Sequence, residues 1–118
     1  MSTFDPRDLD RLAADVSHWP FMVSFAQKYC RLLPQRVARI VTATEERDID
    51  QAMDATLSLR VASSIVGTHE LVEMSSYIEV RLRAGDLVGA SARARLLADA
   101  AERADLALMS YLAARQDT

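Results

Sequence analysis

The sequence predicts an all-α protein: an antiparallel four-helix bundle with an additional short N-terminal helix. Three observations predict it. Apolar residues recur at three- and four-residue intervals along most of the 118 residues. Glycine and proline number only three each, while Ala, Leu and Arg abound, a composition that favours helix. The breaks between periodic segments are short, and short connections make successive helices antiparallel neighbours. No alternating strand pattern competes.

Asp5-Pro6 reads as a helix start, with Pro6 at the first helical position. Leu9, Leu12, Ala13 and Val16 then give a short amphipathic helix that would cover one end of the bundle. Ser17 is placed to cap the next helix, and Pro20 is tolerated in its first turn. From about Trp19 to Glu46, Phe21, Phe25, Tyr29, Leu32, Leu33, Val37, Ile40 and Val41 keep helical spacing. Pro34 predicts a kink rather than an end, because the pattern resumes in phase. Trp19 and the Phe residues at this spacing read as core rather than as a ligand box.

Glu45-Glu46-Arg47-Asp48 is a polar break, and Asp48 can cap the helix that follows. That helix, Ile49 to Gly67, organises the chain. At about 100° per residue, Ala52, Ala55, Leu59, Ala62, Ser63 and Val66 gather on one side and should face the core. Their small size lets neighbouring helices approach. The opposite side carries Asp50, Asp54 and Ser64, but also Met53, Leu57 and Val61 in an i, i+4, i+8 stripe. Gly67 ends the helix, and Thr68 can cap the next. His69 to Ala84 carries Leu71, Val72, Met74, Ser75, Ile78 and Leu82. Gly85-Asp86 is a tight turn with a fresh cap. Leu87 to Ala114 reads as one last helix, through Val88, Ala92, Leu96, Leu97, Ala100, Ala104, Leu108 and Leu112.

One domain, residues 1–118, fits this length, and it is long enough for a real core. The net charge of −3 argues against a nucleic-acid partner, which calls for a basic excess or stripe. Arg81, Arg83, Arg93 and Arg95 are punctuated by acids and read as solvated helix faces. The single Cys30 excludes an internal disulfide framework and a Cys-rich zinc site, and reads as a small core residue. No run approaches a membrane span, and no charged-then-apolar leader is present, so a cytoplasmic protein is expected. His18 and His69 lie too far apart in sequence to argue for a metal site, so neither a metal nor a cofactor is expected.

The turns and small residues resemble the histidine-containing phosphotransfer (HPt) domain of bacterial phosphorelays. That family carries His-x-Leu-Lys-Gly-Ser on one helix, an Ala/Ser-rich turn, then a second helix ending in Leu-Glu-x-x-x-Arg-x-Gly-Asp. This chain has Leu57-Ser58-Leu59-Arg60-Val61-Ala62-Ser63-Ser64-Ile65-Val66-Gly67-Thr68, then Leu71, Ser75 and Ile78-Glu79-Val80-Arg81-Leu82-Arg83-Ala84-Gly85-Asp86. Leu71, Glu79, Arg83, Gly85 and Asp86 fall in register. Phe21, Phe25, Leu33, Pro34 and Arg36 suit the helix before. The resemblance spans nearly the whole chain, through combined spacing rather than one decisive motif.

The departures bear most on function. The family's phosphoacceptor His falls on Leu57, and the Gly one turn later falls on Val61. Arg60 keeps the positive charge. Leu has no nucleophile, so His–Asp phosphotransfer cannot run there, and no catalytic residue is assigned. The resemblance implies a non-catalytic module that docks a response-regulator receiver domain or a histidine kinase through Met53, Asp54, Leu57, Arg60, Val61 and Ser64. Two alternatives stand beside it. One is active phosphotransfer on another residue. His69 lies some 15 Å or more along the axis by helical rise and reads as a surface or capping residue, and Thr56 and Ser58 have no obvious base. The other is a structural homodimer whose seam is the stripe. The plainest reading is that the N-terminal helix simply covers Leu57 and Val61. Asp50 and Asp54, one turn apart, read as ordinary outward charges.

Overall fold

The computed structural model describes residues 3–14 and 19–116. Among the described residues it holds helices and no strand: α1 (Pro6–Ala14), α2 (Trp19–Glu45), α3 (Ile49–Val66), α4 (His69–Arg83), α5 (Leu87–Ala94) and α6 (Leu97–Gln116). The expected roles of Val16, Ser17 and His18, and of the Leu12 and Ala13 side chains, lie outside what it describes.

The helix ends are written in the local sequence. Asp5 accepts the Arg7 amide at 2.9 Å and so caps α1 ahead of Pro6. Asp48 accepts the Gln51 amide at 3.1 Å, and Asp86 the Gly89 amide at 2.9 Å. Gly67 closes α3 in the left-handed conformation, φ 82°, with its amide on the Ser63 carbonyl. Gly85 turns the chain with φ 75°. Helix α2 runs through Pro34 without ending, and Leu33, Val37 and Ile40 are buried on one face around it.

Short turns join α2 to α3, α3 to α4 and α4 to α5. Helix α2 packs on α3, α3 on α4, α4 on α5 and α6, and α2 on α5 and α6. The molecule measures 48 × 24 × 23 Å, its length close to the roughly 40 Å that the 27 residues of α2 span by helical rise. The core is Leu-, Ile-, Val- and Ala-rich: Leu33, Ile40, Leu59, Val66, Leu71, Ile78, Leu97 and Leu108 lie inside. Ala52, Ala55, Thr56, Ala62 and Ser63 give α3 a flat inner face, all buried, so close packing fixes its rotation.

Helix α1 crosses one end and contacts α2 and α3. Leu9 is fully buried there. The Asp5 amide donates to the Gly67 carbonyl at 2.8 Å. The Tyr111 hydroxyl donates to Asp10, and Arg115 joins the same carboxylate. Phe4 meets the Tyr111 ring edge-on at 5.5 Å, and Trp19 lies 6.3 Å from that ring.

Three expectations are corrected. Thr68 holds the N-cap position of α4, but its side chain makes no capping hydrogen bond. Its hydroxyl donates to the Ser63 carbonyl at 3.3 Å and lies 2.9 Å from the Tyr29 hydroxyl, which is also 2.7 Å from Ser63 Oγ. A buried hydroxyl needs partners, and these three satisfy one another instead of the helix end. The last helix is not continuous: it breaks between Ala94 and Leu97, where the Leu96 amide bonds three residues back to Arg93. No Gly or Pro marks the break; the tighter turn keeps both Ala94 and Leu97 fully buried, so tertiary packing overrides propensity. Phe21 is not core but 61% exposed, while Trp19 and Phe25 pack partly buried against the core.

A Cβ at Gly67 would sit 2.7 Å from the Asp5 carbonyl oxygen, whereas one at Gly85 meets nothing within 4 Å. Both substitutions strain a positive φ; only the first also collides with backbone. Gly67→Ala is expected to lose roughly 2–3 kcal/mol of unfolding free energy and Gly85→Ala about 1 kcal/mol, read by urea denaturation.

Candidate functional site

Asp48 sets where α3 begins, and the buried small residues set how it is turned. Together they decide which side chains face outward. Met53 and Leu57 are half-buried, Met53 packing against the core. Val61 is 52% exposed, and Ile65, one turn further, is 41% exposed. The apolar stripe is therefore four residues long and opens toward the Gly67 end. Ile65 was legible in principle, since it continues the i+4 spacing.

The polar neighbours are engaged. Asp54 pairs with Arg39 of α2 at 2.8 Å, and the same guanidinium nitrogen donates to Gln51. Arg60 Nε lies 3.2 Å from Glu79 of α4, whose other oxygen takes Arg83 at 2.7 Å. The Arg60 contact is a charge pair without an aligned hydrogen bond. Ser58 and Ser64 are exposed, while Thr56 is fully buried on the core face. Asp50 is exposed like Asp54, as expected of outward charges.

Between the Arg39–Asp54 link and the Tyr29–Ser63 link, α2 and α3 run side by side. Leu57 and Val61 lie at this level of α3. On α2 the same interval holds Leu32 and Arg36, which with Phe25, Lys28 and Tyr29 line a cleft of about 160 Å³. The N-terminal helix does not cover this face: α1 sits at the Gly67 end, and Val61 stays half exposed.

Other groups that the sequence singled out resolve as follows. Arg81 and Arg93 stack on the Tyr77 ring at 5.4 and 4.5 Å, Arg81 approaches Asp86 at 3.6 Å, and Arg95 approaches Glu45 at 3.5 Å. These arginines are thus tied to rings and acids of their own fold. His69 opens α4 and pairs with Asp8 of α1 at 2.9 Å, beside Asp5. Nothing in the sequence brings a histidine at 69 to carboxylates at 5 and 8; only the crossing of α1 over the Gly67 turn does.

A second concavity lies between α2 and α6. It encloses about 500 Å³ between Pro34, Val37 and Val41 on one side and Ala98, Ala101 and Asp105 on the other. Cys30 is half-buried. Burial first, and then hydrogen bonding to Asp105, push its thiol up to about 12. A thiol raised that far is mostly protonated at neutral pH, which makes it a poor nucleophile.

Comparison of the chain with protein-family models, with curated proteins and with solved structures gives no significant match.

Two outcomes follow from this geometry. Val61→Ser is expected to change the unfolding free energy by less than about 1 kcal/mol, whereas Leu59→Ala on the opposite side of the same helix costs roughly 2–5 kcal/mol. Iodoacetamide at pH 8 is expected to alkylate Cys30 far more slowly in the folded chain than in urea. Asp105→Ala should speed the folded reaction, since it removes both the hydrogen bond and the negative charge that, after burial, hold the thiol protonated.

Proposed function

We propose that this chain is a pseudo-phosphotransfer module. It binds a response-regulator receiver domain or a histidine kinase through the outward face of α3 and carries no phosphate itself. In this reading α2, α3, α4 and the α5–α6 pair are the four members of an HPt-like bundle, and α1 is the additional helix.

One observation carries the reading. Leu57, in the register of the family's phosphoacceptor, is the half-buried centre of an apolar stripe whose far end, Val61 and Ile65, is open to solvent. The stripe has the layout of a docking patch, apolar in the middle and polar at its edges. Its edges are Asp54 and Ser64 on α3, Arg39 and Arg36 on α2, and Arg60. A leucine at this place forbids covalent chemistry and raises apolar contact. The exposed Ser58 beside it is a weak nucleophile unless a base activates it.

The charge of Arg60 is held against Glu79 at the side of the stripe rather than across it. The Arg60 side chain is 37% exposed, so a partner's carboxylates can reach that guanidinium in competition with Glu79.

Purified protein is screened against receiver domains and kinase core domains of its own genome by biolayer interferometry. Saturable binding to at least one is expected, weakened tenfold or more by Leu57→Asp, about 1.4 kcal/mol, with helicity unchanged. Absence of binding throughout the screen, with self-association that the same variant abolishes, would instead identify the stripe as a homodimer seam. Transfer of label from a phosphorylated receiver onto the native chain would identify an active phosphotransfer protein.

A further inference from the structure

Asp5, Asp8 and His69 come together from the segment before α1, from α1 and from the start of α4. One donor atom of each lies within 4.8 Å of the others. Asp8 Oδ2 is 2.9 Å from His69 Nε2. That oxygen is nevertheless sealed from solvent and receives no aligned hydrogen bond, an arrangement that folded proteins ordinarily avoid. The corner is kept open by Gly67: a Cβ there would lie 3.0 Å from the same oxygen. The His69 side chain is 41% exposed, which leaves an approach from solvent.

We infer that Asp5, Asp8 and His69 form a site for a divalent cation of the zinc class. One imidazole nitrogen and two carboxylate oxygens suit Zn²⁺, and three protein ligands leave a position for water. An ion between Asp8 Oδ2 and His69 Nε2 would bridge two atoms that face each other at 2.9 Å without an aligned hydrogen bond. Zinc bonds of about 2.0–2.2 Å in tetrahedral geometry place donors roughly 3.5 Å apart. The widest separation, up to 4.8 Å, therefore closes by about an ångström around the ion, while the 2.9 Å Asp8–His69 pair opens by about half an ångström.

The competitors are two arginines. Arg7 donates to both oxygens of Asp5, at 3.1 and 3.0 Å, and Arg11 pairs with Asp8 Oδ1. Both arginine side chains are largely exposed, 84% and 77%, and exposed pairs of this kind hold weakly. Neither arginine occupies Asp8 Oδ2. The bound ion would ligate α1 and α4 at once and so fasten α1 across the Gly67 turn. This is independent of what binds the face of α3.

The test is isothermal titration of the full chain with ZnCl₂, with MgCl₂ as control. Saturable uptake of one Zn²⁺ per chain is expected, with a thermal midpoint that rises with Zn²⁺ and does not respond to Mg²⁺. His69→Ala and Asp8→Asn should each weaken uptake at least ~10-fold, while His18→Ala leaves it in place. No saturable uptake by the native chain overturns the assignment, as does uptake that His69→Ala leaves unchanged. If those variants do not fold, the Arg7→Ala/Arg11→Ala double variant decides: tighter Zn²⁺ binding supports the site, and equal or weaker binding overturns it.

Discussion

Gly67 holds the left-handed conformation through which two helices change direction, and its carbonyl accepts both the Asp5 and the His69 amides. The residue ends α3, starts α4 and receives α1 at one point. A side chain there would meet the Asp5 carbonyl and the Asp8 carboxylate, so the absence of a Cβ is what lets α1 lie close. Everything at this end of the molecule follows from that turn: the phase of α4, the seat of α1 and the meeting of His69 with two aspartates. The Tyr29, Ser63 and Thr68 hydroxyls brace the turn from inside the core. They fasten α2 to the same point and leave none of the three hydroxyls without a partner.

The other face of α3 is a consequence of how its inner face is built. Alanines and hydroxyl residues bring α2 and α4 close on either side, and the helix has no room to rotate. Positions 61 and 65 then turn outward, Leu57 lies half-buried between, and Met53 stays packed against the core. Four apolar residues at those positions are not demanded by the fold, since a helix in this place accepts polar residues outward. The small cleft on α2, with Leu32 between Lys28 and Arg36, combines an apolar centre with charged edges.

Most of the helices were legible because each carries its own local signal. Asp48, Asp86, Gly67 and Gly85 act within a turn or two of themselves, and their caps and φ angles are where spacing put them. The inner face of α3 was legible for the same reason, since helical phase is a property of the segment alone. The illegible parts are tertiary. The break at Arg95–Leu96 lies among good helix formers and is set by what Ala94 and Leu97 must pack against. Thr68 looks like a cap until Tyr29 arrives from α2. The exposure of Val61 depended on where α1 would rest, and the Asp5–Asp8–His69 cluster spans more than sixty positions of sequence. Periodicity says which face of a helix is apolar; it does not say which neighbour covers it.

The aromatic residues at the α1 end set what light can report about this molecule. Trp19 is the chain's one tryptophan, and it lies beside Tyr111, which also holds Phe4 and Asp10. Its emission is therefore a local gauge of that end. Circular dichroism averages over every helix. Where the two signals change together, the α1 end and the rest of the molecule unfold as one cooperative unit. Where fluorescence moves first, α1 lifts off as a separate low-energy opening while the longer helices stay formed. The placement of a single indole thus gives the molecule a built-in distinction between fraying and unfolding.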